Sequence, residues 1–127
     1  MKAVLAVGLG GLLGSLARYK VGGWVLHHTP SWRFPLSTFV VNVVGCAIVG
    51  ILVGIAEQRH ELSPAARLFL ITGFCGGFTT FSAFGFETVY LLRRHELGWA
   101  LANAALSVAA GIGAVWLGWR SIELLTR

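Results

Sequence analysis

Charged residues are scarce in this sequence, and their scarcity excludes an ordinary soluble domain. Only 12% of the 127 residues are Asp, Glu, Lys or Arg, whereas 56% are hydrophobic. Soluble domains have about 25% charged and about 45–50% apolar residues. The mean hydropathy of +0.76 points the same way. We therefore predict an integral membrane protein with one domain, residues 1–127, that is too small to enclose a wide pore as a single copy.

Cysteine is also scarce, and recognisable catalytic groups are missing. The two cysteines, Cys46 and Cys75, both fall within apolar segments and are predicted to be buried free thiols. Two cysteines make neither a disulfide framework nor a metal site. The sequence has no convincing nucleophile, acid–base pair or cofactor motif, so it does not indicate an enzyme.

Acidic residues are missing from the middle of every apolar segment. The five acids lie near segment ends: Glu57, Glu61, Glu87, Glu96 and Glu123. Glu87 is the closest to an interior, and we expect it to cap a helix or to pair with Arg93 or Arg94. Proton-coupled and cation-selective paths usually contain an intramembrane acid. If the chain forms a path, this absence favours an anion.

Four hydrophobic segments are present, at about 3–27, 36–56, 65–92 and 97–119, each near the length of about 20 residues that crosses a bilayer. The first segment imitates a cleavable signal peptide, but we expect a retained span, because apolar character resumes at Val21. Ser63 and Pro64 predict the N-cap and first residue of the third helix. Tryptophans flank the spans, as an aromatic belt would: Trp24, Trp32, Trp99, Trp116 and Trp119. Two spacings predict close helix packing, Gly10-x-x-x-Gly14 and Gly50-x-x-x-Gly54.

The third segment is predicted to be a broken helix. As one helix, residues 63–92 would be about 45 Å long, well over the roughly 30 Å hydrocarbon core. The glycine pair Gly76-Gly77 weakens a helix, and the β-branched Thr79 and Thr80 follow closely. Broken backbone is tolerated at membrane depth only where protein or a polar cavity covers it. The break therefore indicates an ion-binding or permeation site.

Positive charges are balanced between the two sides of the predicted bundle. One side has Lys2, Arg59, Arg67, Arg120 and Arg127, and the other has Arg18, Lys20, Arg33, Arg93 and Arg94. Orientation follows the Lys/Arg asymmetry of short loops, and here there is none. The chain is thus predicted to insert both ways and to form an antiparallel homodimer. The alternative is a fixed topology set by another partner. The net charge of +5 does not indicate nucleic-acid binding.

Polar side chains form stripes within the apolar spans. Thr38 and Asn42 share a face of the second span, and Asn103 and Ser107 have the same spacing in the fourth. Two such stripes suggest a lined track. The Asn42 amide has two open roles, an interhelical hydrogen bond or a donor to a passing anion. Two roles are also open for Arg18: its side chain reaches the membrane interface, or it lines an aqueous vestibule.

The third span adds phenylalanines to these hydroxyls. Phe78, Phe81 and Phe84 lie three residues apart, so one continuous helix would place them on one side. Lipid contact or packing is the ordinary role for such rings. Because these rings alternate with hydroxyl residues, we favour a role in contacting an anion, which the positive edge of an aromatic ring can do.

Three blocks of the sequence resemble the signature blocks of the Fluc (CrcB) fluoride channel family. They are Gly-Gly-Leu-Leu-Gly-Ser-Leu-Ala-Arg-Tyr (10–19), Ser-Thr-Phe-Val-Val-Asn-Val-Val-Gly (37–45) and Gly-Phe-Cys-Gly-Gly-Phe-Thr-Thr-Phe-Ser-Ala-Phe (73–84). The resemblance covers all four spans in order. It implies an all-α, dual-topology antiparallel homodimer in the bacterial inner membrane, with two fluoride pores and a central Na⁺.

The resemblance also implies roles for individual residues. Pore aromatics would be Phe81 and Phe84, and the pore amide would be Asn42. Other polar pore lining would come from Ser82, Thr38 and Ser107, with Arg18 as the vestibule cation. The backbone carbonyls of Gly76 and Thr79 would hold the Na⁺. The chain departs from the family pattern at Ala83, where a hydroxyl residue is expected, and at Ser37 and Ser15.

The function implied is passive export of fluoride without energy coupling. One rival is a small proton-coupled multidrug transporter, which should have a glutamate in its first helix, whereas residues 3–17 contain no acid. The other rival is a non-transporting assembly subunit of a membrane complex. That interpretation accounts for the glycine packing but not for the polar stripes.

Overall fold

The computed structural model describes residues 1–58 and 62–126. Four residues lie outside the described ones: Arg59, His60, Glu61 and Arg127. Two of them, Arg59 and Arg127, belong to the positive charges that the sequence predicts to be balanced between the two sides. The described part consists of helices and short connections, with no strand. The spans are Lys2–His28, Leu36–Gln58, the interrupted Pro64–Arg93 and Leu97–Leu125, and all four are long and apolar enough to cross a membrane. The prediction of four helical spans is confirmed, although the fourth extends six residues beyond its predicted end at 119.

The third span is broken, as predicted, but not at its glycines. Its first half is α-helical at Pro64–Arg67, π-helical at Leu68–Cys75 and α-helical at Gly76–Phe78, and its second half is the helix Phe81–Arg93. Thr79 (φ −85°, ψ 161°) and Thr80 (φ −150°, ψ 123°) are extended between the halves. The break therefore lies about three residues after its predicted position at Gly76-Gly77. β-Branched threonines are better suited than glycine to extended backbone.

The start of the third span follows its sequence signal. Ser63 is the N-cap, its hydroxyl oxygen accepts a hydrogen bond from the Ala66 N–H at 3.2 Å, and Pro64 occupies the first turn. This bond satisfies one of the backbone donors that a helix start leaves open. The second half begins in the same way, because the Thr80 hydroxyl accepts from the Ala83 N–H at 3.2 Å. Each half therefore has its own polar cap.

Small residues bring the spans together in two pairs. The first span packs on the first half of the third, where an added Cβ at Gly10 or Gly14 would overlap the Phe69 or Phe74 carbonyl. The second span packs along the fourth, where a Cβ at Gly50 would overlap the Val115 carbonyl. The predicted glycine contacts are confirmed. Close backbone approach is the usual way in which membrane helices gain packing energy, because lipid provides no hydrophobic drive between them.

Glycine has a similar role beside the break. Gly77 lies so close to the first span that a Cβ would overlap the Gly11 carbonyl, while a Cβ at Gly76 would have no neighbour within 4 Å. The pair is thus helical, and one member is needed for contact with the first span. This contact fixes the first half of the third span a few residues before the break.

Candidate functional site

The second span holds the broken backbone through one amide. Asn42 Nδ2 donates to the Thr80 carbonyl at 2.9 Å, and the Thr80 N–H donates to Asn42 Oδ1 at 2.8 Å. In an unbroken helix the Thr80 N–H would bond to the carbonyl four residues back, that of Gly76. The side chain replaces that bond, so the backbone at the break is satisfied without helical geometry. The amide retains one further N–H donor.

The first span holds the other residue of the break. Arg18 Nη1 donates to the Thr79 carbonyl at 3.1 Å, so the half-buried guanidinium contacts the break in the third span. Thr79 also remains tied to the preceding turn, because its N–H and its hydroxyl both donate to the Cys75 carbonyl at 2.9 Å. Arg18 and Asn42, on separate spans, therefore fix adjacent residues.

One cavity of about 320 Å³ opens at the break. Four of the predicted pore residues line it together, namely Asn42, Phe81, Phe84 and Ser107. The two rings lie 5.4 Å apart between centroids and are tilted by 37°. The Phe81 side chain is largely uncovered, with 83% of the residue exposed. The cavity is therefore a half-open cleft with one amide, hydroxyls and two aromatic rings.

A second cavity, of about 530 Å³, lies beside the same break. It contains the remaining predicted side chains, Arg18, Thr38 and Ser82, together with Ala83. Thr80 lines both cavities. The predicted site residues thus converge on the break but are divided into two groups, one around the phenylalanines and one around the arginine. Gly76 contributes to neither lining.

Two sequence-based assignments are wrong in detail. Phe78 does not share a face with Phe81 and Phe84, because the extended residues separate it from them. It is buried and stacked on Phe74, with ring centroids 5.9 Å apart. Asn103 does not line a track beside Ser107, because it is only 2% exposed and absent from the cavity lining.

We expected Glu87 to cap a helix or to pair with Arg93 or Arg94, and both expectations are wrong. Its Oε1 accepts a hydrogen bond from the Thr38 hydroxyl at 2.6 Å. Its Oε2 is buried without a hydrogen-bond partner among the described residues. Arg94 instead lies 3.5 Å from Glu96. The Glu87–Thr38 contact joins positions 49 residues apart, so no local pattern could have revealed it.

Both cysteines are free thiols, as predicted, and Cys75 is buried. The prediction of burial is wrong for Cys46, which is only half-buried and lies beside the cleft. Ser37, one departure from the family pattern, donates its hydroxyl to the Gly22 carbonyl at 2.9 Å. The hydroxyl therefore ties the first span to the second. This contact supports a packing role for the departure.

The fold and this site define a multi-pass helical membrane protein whose broken third helix presents neutral hydrogen-bond donors and aromatic rings to a cleft. Comparison with known proteins agrees. The profile of the family described as CrcB-like protein, Camphor Resistance (CrcB), matches residues 5–119. The chain belongs to this family.

Curated relatives extend the match over nearly the whole chain. A protein of Methylobacillus flagellatus is 46% identical, covering 98% of this chain and 97% of its own length. Proteins of Acidobacterium capsulatum and Flavobacterium psychrophilum are 46% and 42% identical, over 90% and 93% of this chain. Each bears the name "Fluoride-specific ion channel FluC".

Proposed function

We propose that this chain is a passive, fluoride-selective channel that exports F⁻ from the cytoplasm and so supports fluoride resistance. Its relatives are named fluoride-specific ion channels, and the match spans nearly all of both chains. The observation that carries the proposal is the cleft shared by Asn42, Phe81, Phe84 and Ser107 at the helix break. Neutral donors and two aromatic rings lie together there.

The chemistry of the cleft suits a small, strongly hydrated anion. A pore must replace the hydration shell of the ion with its own groups while holding it weakly enough to let it leave. The free N–H of Asn42 and the hydroxyl of Ser107 can donate, and aromatic edges carry partial positive charge. None of these groups has a fixed charge that would trap the ion. Arg18, in the neighbouring cavity, adds positive potential nearby.

The proposed assembly is an antiparallel homodimer with two pores. The cleft is half open in one chain, and Phe81 is 83% exposed beside it, so a second copy would be needed to close the path. The balanced positive charges of the sequence support insertion in both orientations. Two inverted copies would give the assembly a two-fold axis in the membrane plane.

A Na⁺ at the centre of that dimer is a further part of the proposal. No group of three or more His, Cys, Asp or Glu among residues 1–58 and 62–126 could hold a metal ion, so a cation there would depend on carbonyl oxygens. The Gly76 carbonyl fits, because the Thr80 N–H that would normally bond to it is used by Asn42. The Thr79 carbonyl fits less freely, since it already accepts from Arg18. Bound Na⁺ would supply fixed positive charge that holds the two breaks together.

Export then needs no energy coupling. A negative-inside potential drives a monovalent anion outward by about 2.3 kcal/mol per 100 mV. What the protein must contribute is selectivity and a low barrier.

The test is fluoride efflux from liposomes containing only the purified protein, followed with a fluoride electrode. Vesicles are loaded with potassium fluoride, and valinomycin is added to carry the compensating potassium. Rapid fluoride efflux that needs no proton gradient is expected, whereas matched vesicles loaded with potassium chloride should retain their chloride. Drug transport driven by a proton gradient would identify the multidrug transporter, and the absence of any flux would favour the assembly subunit.

A further inference from the structure

Asn103 is buried at the centre of a series of three hydrogen bonds in which every donor points the same way. The Ser107 hydroxyl donates to Asn103 Oδ1 at 3.4 Å, and Asn103 Nδ2 donates to the Thr88 hydroxyl at 2.9 Å. The Thr88 hydroxyl donates in turn to the Phe84 carbonyl at 2.8 Å. Asn103 is only 2% exposed, so both ends of its amide depend on these partners.

This series of hydrogen bonds begins and ends at residues of the cleft. Ser107 and Phe84 both line it, whereas Asn103 does not. In this arrangement the single proton of the Ser107 hydroxyl points away from the cleft, toward Asn103. Only its lone pairs remain for an arriving ion, and lone pairs repel an anion. The link at 3.4 Å is the longest of the three and lies at the outer limit of a useful hydrogen bond.

A half-turn of the Asn103 amide would reverse the donor direction of its two hydrogen bonds without moving any helix. The oxygen and the NH₂ group have nearly the same size and exchange places in such a turn. Nδ2 would then donate to the Ser107 oxygen, and the Thr88 hydroxyl would donate to Oδ1. Both amide atoms keep a partner, so neither state leaves a buried polar atom unsatisfied. The Ser107 proton would be free to point into the cleft.

We propose that Asn103 is a positioning residue whose amide orientation decides whether Ser107 presents a lone pair or a proton to the cleft. This inference rests on the proposed function, since it assigns a role toward the permeant anion. An anion in the cleft selects the orientation in which Ser107 donates to it. The neutral amide thereby lets the site offer a donor when the ion arrives.

The sequence allows a direct test in the unmodified protein. Asparagine occurs only at positions 42 and 103, so labelling with [¹⁵N]asparagine gives two side-chain amide signals. The Asn42→Ala variant assigns them. Titration of the reconstituted protein with sodium fluoride should shift the Asn103 signal, and sodium chloride at the same concentration should not. In Ser107→Ala the fluoride-dependent shift of that signal should disappear. An Asn103 signal that ignores fluoride in a conducting protein would overturn the inference.

Flux measurements provide a second test. Ser107→Ala should raise the fluoride concentration for half-maximal flux, by about tenfold if one hydrogen bond to the ion is lost. Asn103→Leu should change that concentration as well, because Ser107 then has neither the acceptor that holds its proton back nor the donor that turns it toward the cleft. Combining them should add little, because both act through the Ser107 proton. A merely structural Asn103 would instead lower the thermal midpoint and leave the half-maximal concentration unchanged, which would count against the proposal. Independent, additive effects would do the same.

A matched control and the wild type separate the two proposals. Ser121→Ala removes a hydroxyl that donates to the Gly118 carbonyl on the same helix, outside the cleft, and should behave as wild type. If the wild type fails to conduct fluoride, the proposed function fails. If it conducts but the Asn103 amide and half-maximal concentration do not respond as described, only the positioning role fails.

Discussion

Asn42 and Thr80 exchange two hydrogen bonds, one in each direction, at 2.9 and 2.8 Å. Paired strands exchange backbone bonds in the same reciprocal way. Here a side chain provides one partner, so an extended residue can lie between two helix ends without an unsatisfied backbone group. The amide that lines the cleft is therefore also the group that maintains the break. Under the proposed function, conduction and local structure would depend on the same residue.

Substitutions at Asn42 should separate these two roles. Asn42→Ala leaves the Thr80 N–H and carbonyl without the amide, which should cost about 1–3 kcal/mol for each group and abolish fluoride flux. Asn42→Asp keeps an acceptor for the Thr80 N–H, so it should be the more stable of the two, yet its negative charge should still block anions. Thermal unfolding and liposome efflux measure the two effects. Wild-type flux in Asn42→Ala would contradict the assignment.

Phe81 should matter for conduction. Phe81→Ile removes the ring from the cleft and should abolish fluoride efflux. Phe86 is the matched control, since it lies on the same helix, is 71% exposed and does not line the cleft. Phe86→Ile should therefore conduct normally. Equal flux in the two variants would remove Phe81 from the pore.

The contact between the first span and the third should be intolerant of a single methyl group. Gly14→Ala places a Cβ against the Phe74 carbonyl, and overpacking of this kind typically costs about 1–3 kcal/mol. Gly8→Ala on the same helix has no neighbour within 4 Å and should be neutral. The measurement is thermal unfolding of the purified proteins in detergent. Equal midpoints would show that the two helices are packed less closely than described.

Orientation should respond to a few added charges. Both faces of the membrane should expose the C-terminus of the unmodified chain, as measured by labelling a terminal cysteine tag from each side. Glu57→Lys with Gln58→Lys should bias insertion one way, and His27→Lys with Ser31→Lys should bias it the other. Each biased variant alone should lose fluoride flux, and co-expression should restore it. A tag found on a single side of the unmodified protein would exclude the antiparallel dimer.

Sodium should stabilise the dimer if carbonyls at the break hold it. Replacing Na⁺ with K⁺ should lower the thermal midpoint of the purified dimer, because a ligand that binds only the folded state stabilises it. Arg18→Gln frees the Thr79 carbonyl from its guanidinium partner, so less Na⁺ should be needed for the same stabilisation. A midpoint that does not depend on Na⁺ in either protein would argue against the cation.

The four helical spans of this protein were predictable from local sequence alone. Long uncharged runs can only be satisfied in a membrane by helices, and short connections leave few ways to arrange four of them. Ser63 and Pro64 were sufficient to place one helix start, and the spacing of Gly10 and Gly14 was sufficient to predict a close contact. The residues of the candidate site were also readable, because polar groups in apolar spans are rare.

The grouping of those residues depends on how the spans pack against one another. The Gly76-Gly77 pair suggested where the helix weakens, but the break formed at Thr79 and Thr80, where Arg18 and Asn42 supply partners from two other spans. The burial of Asn103 and the pairing of Thr38 with Glu87 likewise depend on residues distant in the chain. A local pattern fixes which groups need a hydrogen bond in lipid, and only packing determines which neighbour provides it.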